Sequence, residues 1–305
     1  MSKRMTWAAV LVAVLAGAAL LYQVHNRKEV SRASTIGPGP IPVPAPATAA
    51  GNLAAQPEKA RGAAPTPASS VSPNEAKKAT ALPDANSPIR EGENWQYSAN
   101  VSKLSSVANL QLKVMEKRNF LGKSAWHLQA FAHTENPLRM VFALDDQFDS
   151  YSDAASLVSL QYEMHLNEKG QTVNSVQRMT PSVRDPAPAD ATAARVLPGT
   201  RDPLGLMQYL RTVDWSKTVE VRSPVYDGHK LYDVRARLQA KGQQVTVPAG
   251  NFSALKIALR VLDNGAELKD AHFTLYLADT EARTPVLLEA VMPFAVARVE
   301  LLKAQ

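Results

Sequence analysis

After Pro88 the apolar residues recur mostly at every second position. Leu110, Leu112 and Val114 alternate with polar neighbours, as do Trp126, Leu128, Ala130 and Ala132, and then Leu160, Tyr162, Met164 and Leu166. The same beat carries Leu255, Ile257, Leu259 and Val261, and then Phe273, Leu275 and Leu277. A period of two sends successive side chains to opposite faces, so each run predicts a half-buried antiparallel strand. Turn chemistry separates the runs. Asp227-Gly228 predicts a hairpin turn, and Val247-Pro248-Ala249-Gly250 fits a type I turn with proline second and glycine fourth. One segment keeps another beat: Asp202-Pro203 supplies an N-cap and a first-turn proline, and Leu206, Leu210 and Val213 follow at i, i+4 and i+7. A helix of about ten residues is predicted there. The Pro/Ala-rich stretch 180–200 predicts a long loop.

One short helix cannot cover the apolar faces of about ten strands, so the sheet must curl on itself. The expected fold is mainly β. It is a strongly curved antiparallel sheet, half-barrel or sandwich, with one short helix in its mouth, occupying residues 89–305. Any uncovered remainder would be an apolar cavity or groove able to take a hydrophobic ligand.

The pattern is different before Pro88. Residues 5–24 contain no charge and are bracketed by Lys3 and Arg4 on one side and Arg27, Lys28 and Arg32 on the other. Twenty helical residues span about 30 Å, one hydrocarbon thickness, so residues 1–32 read as a signal-anchor transmembrane segment. The competing reading is a signal peptide cut after Ala16-Gly17-Ala18. It is less favoured because cleavage would leave the apolar Ala19-Leu20-Leu21-Tyr22 at the new terminus. Residues 33–88 carry 11 of the 21 prolines among Ala, Ser, Thr and Gly, and read as a disordered linker reaching about 170 Å when fully extended.

Composition sharpens this picture. The 305 residues carry a net charge of +6, but residues 1–88 hold nine Lys/Arg against four Asp/Glu, leaving 25 against 24 in the remainder. Basicity therefore belongs to anchor and linker, and the β domain has no charge excess to attract nucleic acid. The absence of cysteine excludes disulfides, thiolate catalysis and Cys-based metal sites.

No catalytic or metal constellation stands out, and no cofactor is expected. His127, His133, His165 and His272 lie out of phase with the apolar positions of their strands, so they are expected on the solvated face. Gly122-Lys123-Ser124 lacks the earlier glycine of a phosphate loop, and its surroundings read as a hairpin. The run Asp145, Asp146, Asp149 and Asp153 lacks the spacing of a calcium loop and reads as a solvated edge or turn. Trp95, Trp126 and Trp215 read as core.

Six short motifs in order give the domain a family likeness. They are Gly92-Glu93 with Tyr97; Asp146-Gln-Phe148-Asp-Ser150-Tyr151; Asp202-Pro203-Leu204 leading to Tyr209-Leu210-Arg211; Asp227-Gly228 with Tyr232; Val247-Pro248-Ala249-Gly250-Asn251-Phe252; and Leu277-Ala278-Asp279 with Arg283-Thr284-Pro285-Val286. Over residues 89–303 the chain resembles an exported bacterial family known as domain of unknown function 3108, departing from it at Pro293-Phe294-Ala295, where a glycine is usual after the phenylalanine. The resemblance implies an envelope location and a β-rich fold, and brings no activity or catalytic residues.

Gly92, Asp146, Asp202, Pro203, Gly228, Pro248 and Gly250 read as structural. Arg211, Tyr151 and Phe148 are the candidate ligand contacts, with an ion pair from Arg211 to Asp146 or Asp149 as the structural alternative. The expected protein is a non-enzymatic, single-pass protein of the bacterial inner membrane, held through residues 5–24, with a periplasmic domain that binds a hydrophobic or lipid-like ligand. The alternative is a protein-interaction or scaffold module reaching across the envelope, and an uncharacterised enzyme ranks third.

Overall fold

The computed structural model describes residues 87–180, 192–268, 270–293 and 295–305. The expected membrane segment 5–24, the linker through residue 86, most of the Pro/Ala-rich loop (181–191) and Phe294 lie outside the described residues. No helix among the described residues is long and apolar enough to cross a membrane.

The domain runs β1 (Asn94–Val101), β2 (Leu104–Phe120), β3 (Lys123–Thr134), α1 (Leu138–Val141), β4 (Asp145–Asp153), β5 (Ser159–Glu168), β6 (Gln171–Thr180) and β7 (Thr192–Arg195). It continues with α2 (Pro203–Thr212), β8 (Glu220–Tyr226), β9 (Leu231–Val247), β10 (Gly250–Asp263), β11 (Ala266–Glu267), β12 (His272–Ala278), β13 (Pro285–Met292) and β14 (Ala295–Ala304). The strands form one continuous sheet in the order β7-β6-β5-β4-β3-β2-β1-β14-β13-β12-β10-β9-β8, with β11 a short partner of β10. Of the expected alternatives this is the curved single sheet, not the sandwich. Neighbours are antiparallel except β6 and β7. The predicted alternation holds on β2, β3, β5, β10 and β12, whose in-phase residues face the concave core.

Curvature brings the edges round to a seam. At its centre Thr200 and Arg201 lie between β5 and β8. Ser159 N–H donates to Thr200 O at 3.1 Å, Arg201 N–H to Pro224 O at 3.0 Å, and Tyr226 N–H to Arg201 O at 2.8 Å. The next residue, Asp202, caps α2, giving the predicted boundary and a ten-residue helix. Leu204, Leu206, Leu210, Val213 and Trp215 then join the same core cluster as the strands, so the helix fills the concave side.

Four details depart from expectation, the first being that residues 192–195 of the stretch expected as a loop pair with β6 as strand β7. A second helix, α1, makes a single turn between β3 and β4. The Asp227-Gly228 connection spans four residues, 227–230, because Asp227 Oδ1 accepts from the backbone N–H of both His229 and Lys230 and so builds its own turn. The acidic run lies on β4, an interior strand between β3 and β5, with Asp146 and Asp149 buried.

Gly228 has φ +95, and a Cβ there would overlap Met164 Sδ and Cε. Gly228→Ala is expected to cost about 2 kcal/mol in urea unfolding. A second change, Met164→Ala, should relieve the overlap yet leave the backbone strain.

Candidate functional site

The three candidate ligand contacts do not converge. Phe148 and Tyr151 are three residues apart on β4, so strand parity sends them to opposite faces. Phe148 lies in the core with its ring 6.3 Å from that of Tyr162. Tyr151 lies on the convex face.

Arg211 is fully buried near the end of α2. Its Nη1 donates to Glu93 Oε2 at 2.9 Å and its Nη2 to Glu93 Oε1 at 2.7 Å. It also donates to Pro88 O at 2.6 Å, Ala282 O at 2.7 Å and Gln208 Oε1 at 2.5 Å, and it stacks 4.5 Å over Trp95. Its ion-pair partner is therefore Glu93, not Asp146 or Asp149, because the C-terminal part of α2 packs beside the start of β1 and the 279–284 turn. A guanidinium so enclosed offers a ligand nothing. Arg283 Nη1 donates to Arg211 O at 3.0 Å and to Val213 O, closing the end of the helix.

The convex face of β2–β6 carries what residue-by-residue reading missed. Tyr151 stacks on Phe120 at 4.1 Å and on His127 at 4.7 Å, Arg118 lies 5.0 Å over Tyr151, and Arg178 lies 5.6 Å over Phe120. His127 Nε2 meets Asp149 Oδ1 at 2.7 Å, and Gln129 and Gln147 also donate to that carboxylate at 2.9 and 2.7 Å. Burial alone would push the Asp149 carboxyl up, but the donors from His127, Gln147 and Gln129 together hold it below the usual range. The parity prediction for His127 is right about the face and wrong about solvation: only 14% of its side chain is exposed, since Tyr151 and Asp149 cover it. Cross-strand register could have found this array, because His127 pairs with Tyr151 and Gln129 with Asp149. No hydroxyl or thiol bonds to His127 among the described residues, so the dyad lacks a nucleophile. No described cluster of three His, Asp or Glu could hold a metal ion.

The residues read as structural gather at the seam, in turns and at the chain entry. Asp202 is wholly buried. Its Oδ1 accepts from Leu204 and Gly205 N–H at 2.9 Å each, and its Oδ2 accepts from Ser150 Oγ at 2.6 Å and from Ser159 Oγ. Pro203 follows at the first helical position. Pro248 and Ala249 make the β9–β10 turn, with Gly250 at φ +134. Gly92 at φ +84 donates to Val114 O at 2.9 Å. Four buried atoms find no hydrogen-bond partner within the described residues: Tyr162 Oη, Gln177 Oε1, Arg201 Nε and Asp227 Oδ2. All four belong to elements that meet at the seam.

Asp146 accepts from Asn167 N–H at 2.9 Å, yet burial, with Glu168 and Asp145 adding to it, pushes its carboxyl up to about 7. A raised carboxyl favours the folded state while protonated, and that contribution is lost as pH rises through the folded value. Asp146→Asn should therefore match the parent near pH 4 and gain on it in thermal unfolding up to about pH 8. Arg211→Met should cost about 3 kcal/mol, because Glu93 is left nearly buried and unpaired, and adding Glu93→Gln should recover part of that loss.

A family model described as "Protein of unknown function (DUF3108)" matches residues 96–302. Comparison with curated proteins gives no match. Among solved structures, a β-barrel-like protein of domain of unknown function DUF1849 from Brucella abortus is similar at a TM-score of 0.45 and 11% identity, covering 71% of this chain and 98% of that one. A presumed lipoprotein from Parabacteroides distasonis gives 0.34 and 13%, covering 72% and 98%. A presumed exported protein with a YmcC-like fold from Bacteroides fragilis gives 0.33 and 11%, covering 72% and 97%. Likenesses at these scores carry no argument about role. The family match spans more than half of the sequence, and the chain belongs to the DUF3108 family of proteins of unknown function.

Proposed function

We propose that the chain is a non-enzymatic envelope protein, held in the bacterial inner membrane by residues 5–24 and carrying its β domain on residues 33–88 into the periplasm, where the convex face of β2–β6 engages a protein partner. The observation that carries this reading is the array of Arg118, Arg178, Phe120, Tyr151 and His127, whose residue types are those enriched at protein interfaces. The localisation is supported by the uncharged segment 5–24 and its basic flanks, and by the linker composition.

The expected hydrophobic ligand finds less support. Within the concave side, one void, bounded by Tyr97, Leu110, Leu112, Met207, Leu275 and Leu288, measures about 10 Å³, roughly one water, where a lipid-like ligand needs hundreds.

A photocrosslinking residue at position 120 of the full chain, in its native envelope, should capture a discrete partner. Arg118→Glu with Arg178→Glu should reduce that capture about tenfold while leaving the melting temperature within a few degrees. Capture that survives both charge reversals would sink the reading, as would capture unaffected by removing half of residues 33–88.

A further inference from the structure

Six large apolar side chains stand exposed at one end of the domain. Met140 is 84% and Val141 73% exposed on α1, while Leu104, Val173, Val291 and Val296 are between 40% and 55% exposed. They flank four turns at the end reached by β1, β3, β5 and β13. Three backbone hydrogen bonds make those turns one continuous edge: Ser102 N–H to Val296 O at 2.7 Å, Glu135 N–H to Val107 O at 2.8 Å, and Lys169 N–H to Ala143 O at 2.8 Å. Exposed apolar residues gathered along one edge are costly in water and call for a partner.

We propose that this rim docks on a lipid bilayer. Three observations select that occupant. Met140 and Val141 stand on α1 between two strands, and Leu104, Val173, Val291 and Val296 stand at the strand ends beside the turns, an exposed edge for insertion between headgroups rather than a groove for a helix or peptide. Lys103 and Lys169 stand exposed on the same turns, Lys169 with its ammonium 4.8 Å over Phe142, as suits an anionic headgroup layer. Ser87, the first described residue, lies at the opposite end, so 86 further residues depart from there, and a linker reaching about 170 Å leaves the rim free to turn toward a membrane. That last step rests on the anchored reading; the other two do not. Docking by the rim would leave the convex array of β2–β6 standing away from the bilayer.

The lack of any native cysteine makes the test direct. Val141→Cys and Val173→Cys, and at the opposite end Leu197→Cys and Val219→Cys, are introduced singly into the full chain and labelled with an environment-sensitive dye. Each is reconstituted in vesicles of zwitterionic and anionic phospholipid containing a bilayer-resident quencher. Vesicle flotation reads the anchor, and quenching reads the rim. Quenching at 141 and 173 of about twofold or more, with none at 197 and 219, is expected, and Met140→Gln should weaken it at position 173. Floating vesicles with no quenching at the rim, or with equal quenching at both ends, would overturn the proposal. So would burial of the rim dyes that depends on protein concentration and not on lipid, which would indicate a second copy as the occupant. Without flotation, the anchored reading fails by itself, and vesicles added to the unanchored chain must still quench at 141 for the rim proposal to stand.

Discussion

A sheet this wide, curled on itself, must deal with two edges, and the domain depends on how they are joined at Thr200–Asp202. Two residues of extended chain supply the backbone partners that β5 and β8 lack toward each other. The third, Asp202, turns that chain inward as α2. Its carboxylate is wholly buried, a placement that pushes the carboxyl up, and it is tolerable because four donors reach it. Two of those donors are the first free amides of the helix, and two are serines of β4 and β5. One side chain thus caps a helix and ties it to the sheet it fills.

From that junction follows where function can lie. Because α2 enters through the seam and packs its apolar side against both halves of the sheet, the concave face is consumed as core. Gly205 shows how close the packing is: a Cβ there would stand 2.9 Å from Ser152 Oγ and 3.2 Å from Leu157 O. The described arginine–aromatic array stands on the convex face, away from this core. Among the described residues the seam is also where satisfaction is poorest, with four unpartnered buried polar atoms on the elements that meet there. If any part of the sheet opens before the rest unfolds, physical expectation puts it here.

Much of this was legible in the sequence, for definite reasons. Strands announce themselves by period two, and β2, β3, β5, β10 and β12 fall on the expected residues. The helix announces itself by Asp202-Pro203. What escaped depends on pairs distant in sequence. The partner of Arg211 is Glu93, 118 residues away, and no local pattern connects them. Tyr151 and Phe148 were grouped because they share a motif, although their spacing of three already places them on opposite faces. The His127–Asp149 contact needs the β3–β4 register, which hydrophobic alternation does not fix to the residue. The seam is invisible for the same reason: Ser159 and Asp202 meet only once the curvature of the whole sheet is known.

Helix α2 also joins the seam to the place where the chain enters the domain. At its first turn Asp202 fastens it to β4 and β5. Near its other end Arg211 fastens it to Glu93, to the carbonyl of Pro88 and to the 279–284 turn, while Arg283 satisfies the last carbonyls. Three of the six family motifs meet in this second knot, at Glu93, Arg211 and Arg283; the Asp202-Pro203 end of the Arg211 motif and the Asp146–Tyr151 motif make the first, the Asp227-Gly228 motif lies beside the seam, and the Val247–Phe252 motif makes the β9–β10 turn. Most of these motif residues therefore describe a bolt with two fastenings. Such a bolt would suit the anchored arrangement proposed above. In that arrangement, tension applied at Pro88 would pass first to a buried, bidentate ion pair and to a helix packed in the core, before it reached the ladder of β1. Held at both ends, the helix cannot leave the core without breaking one of these two buried networks.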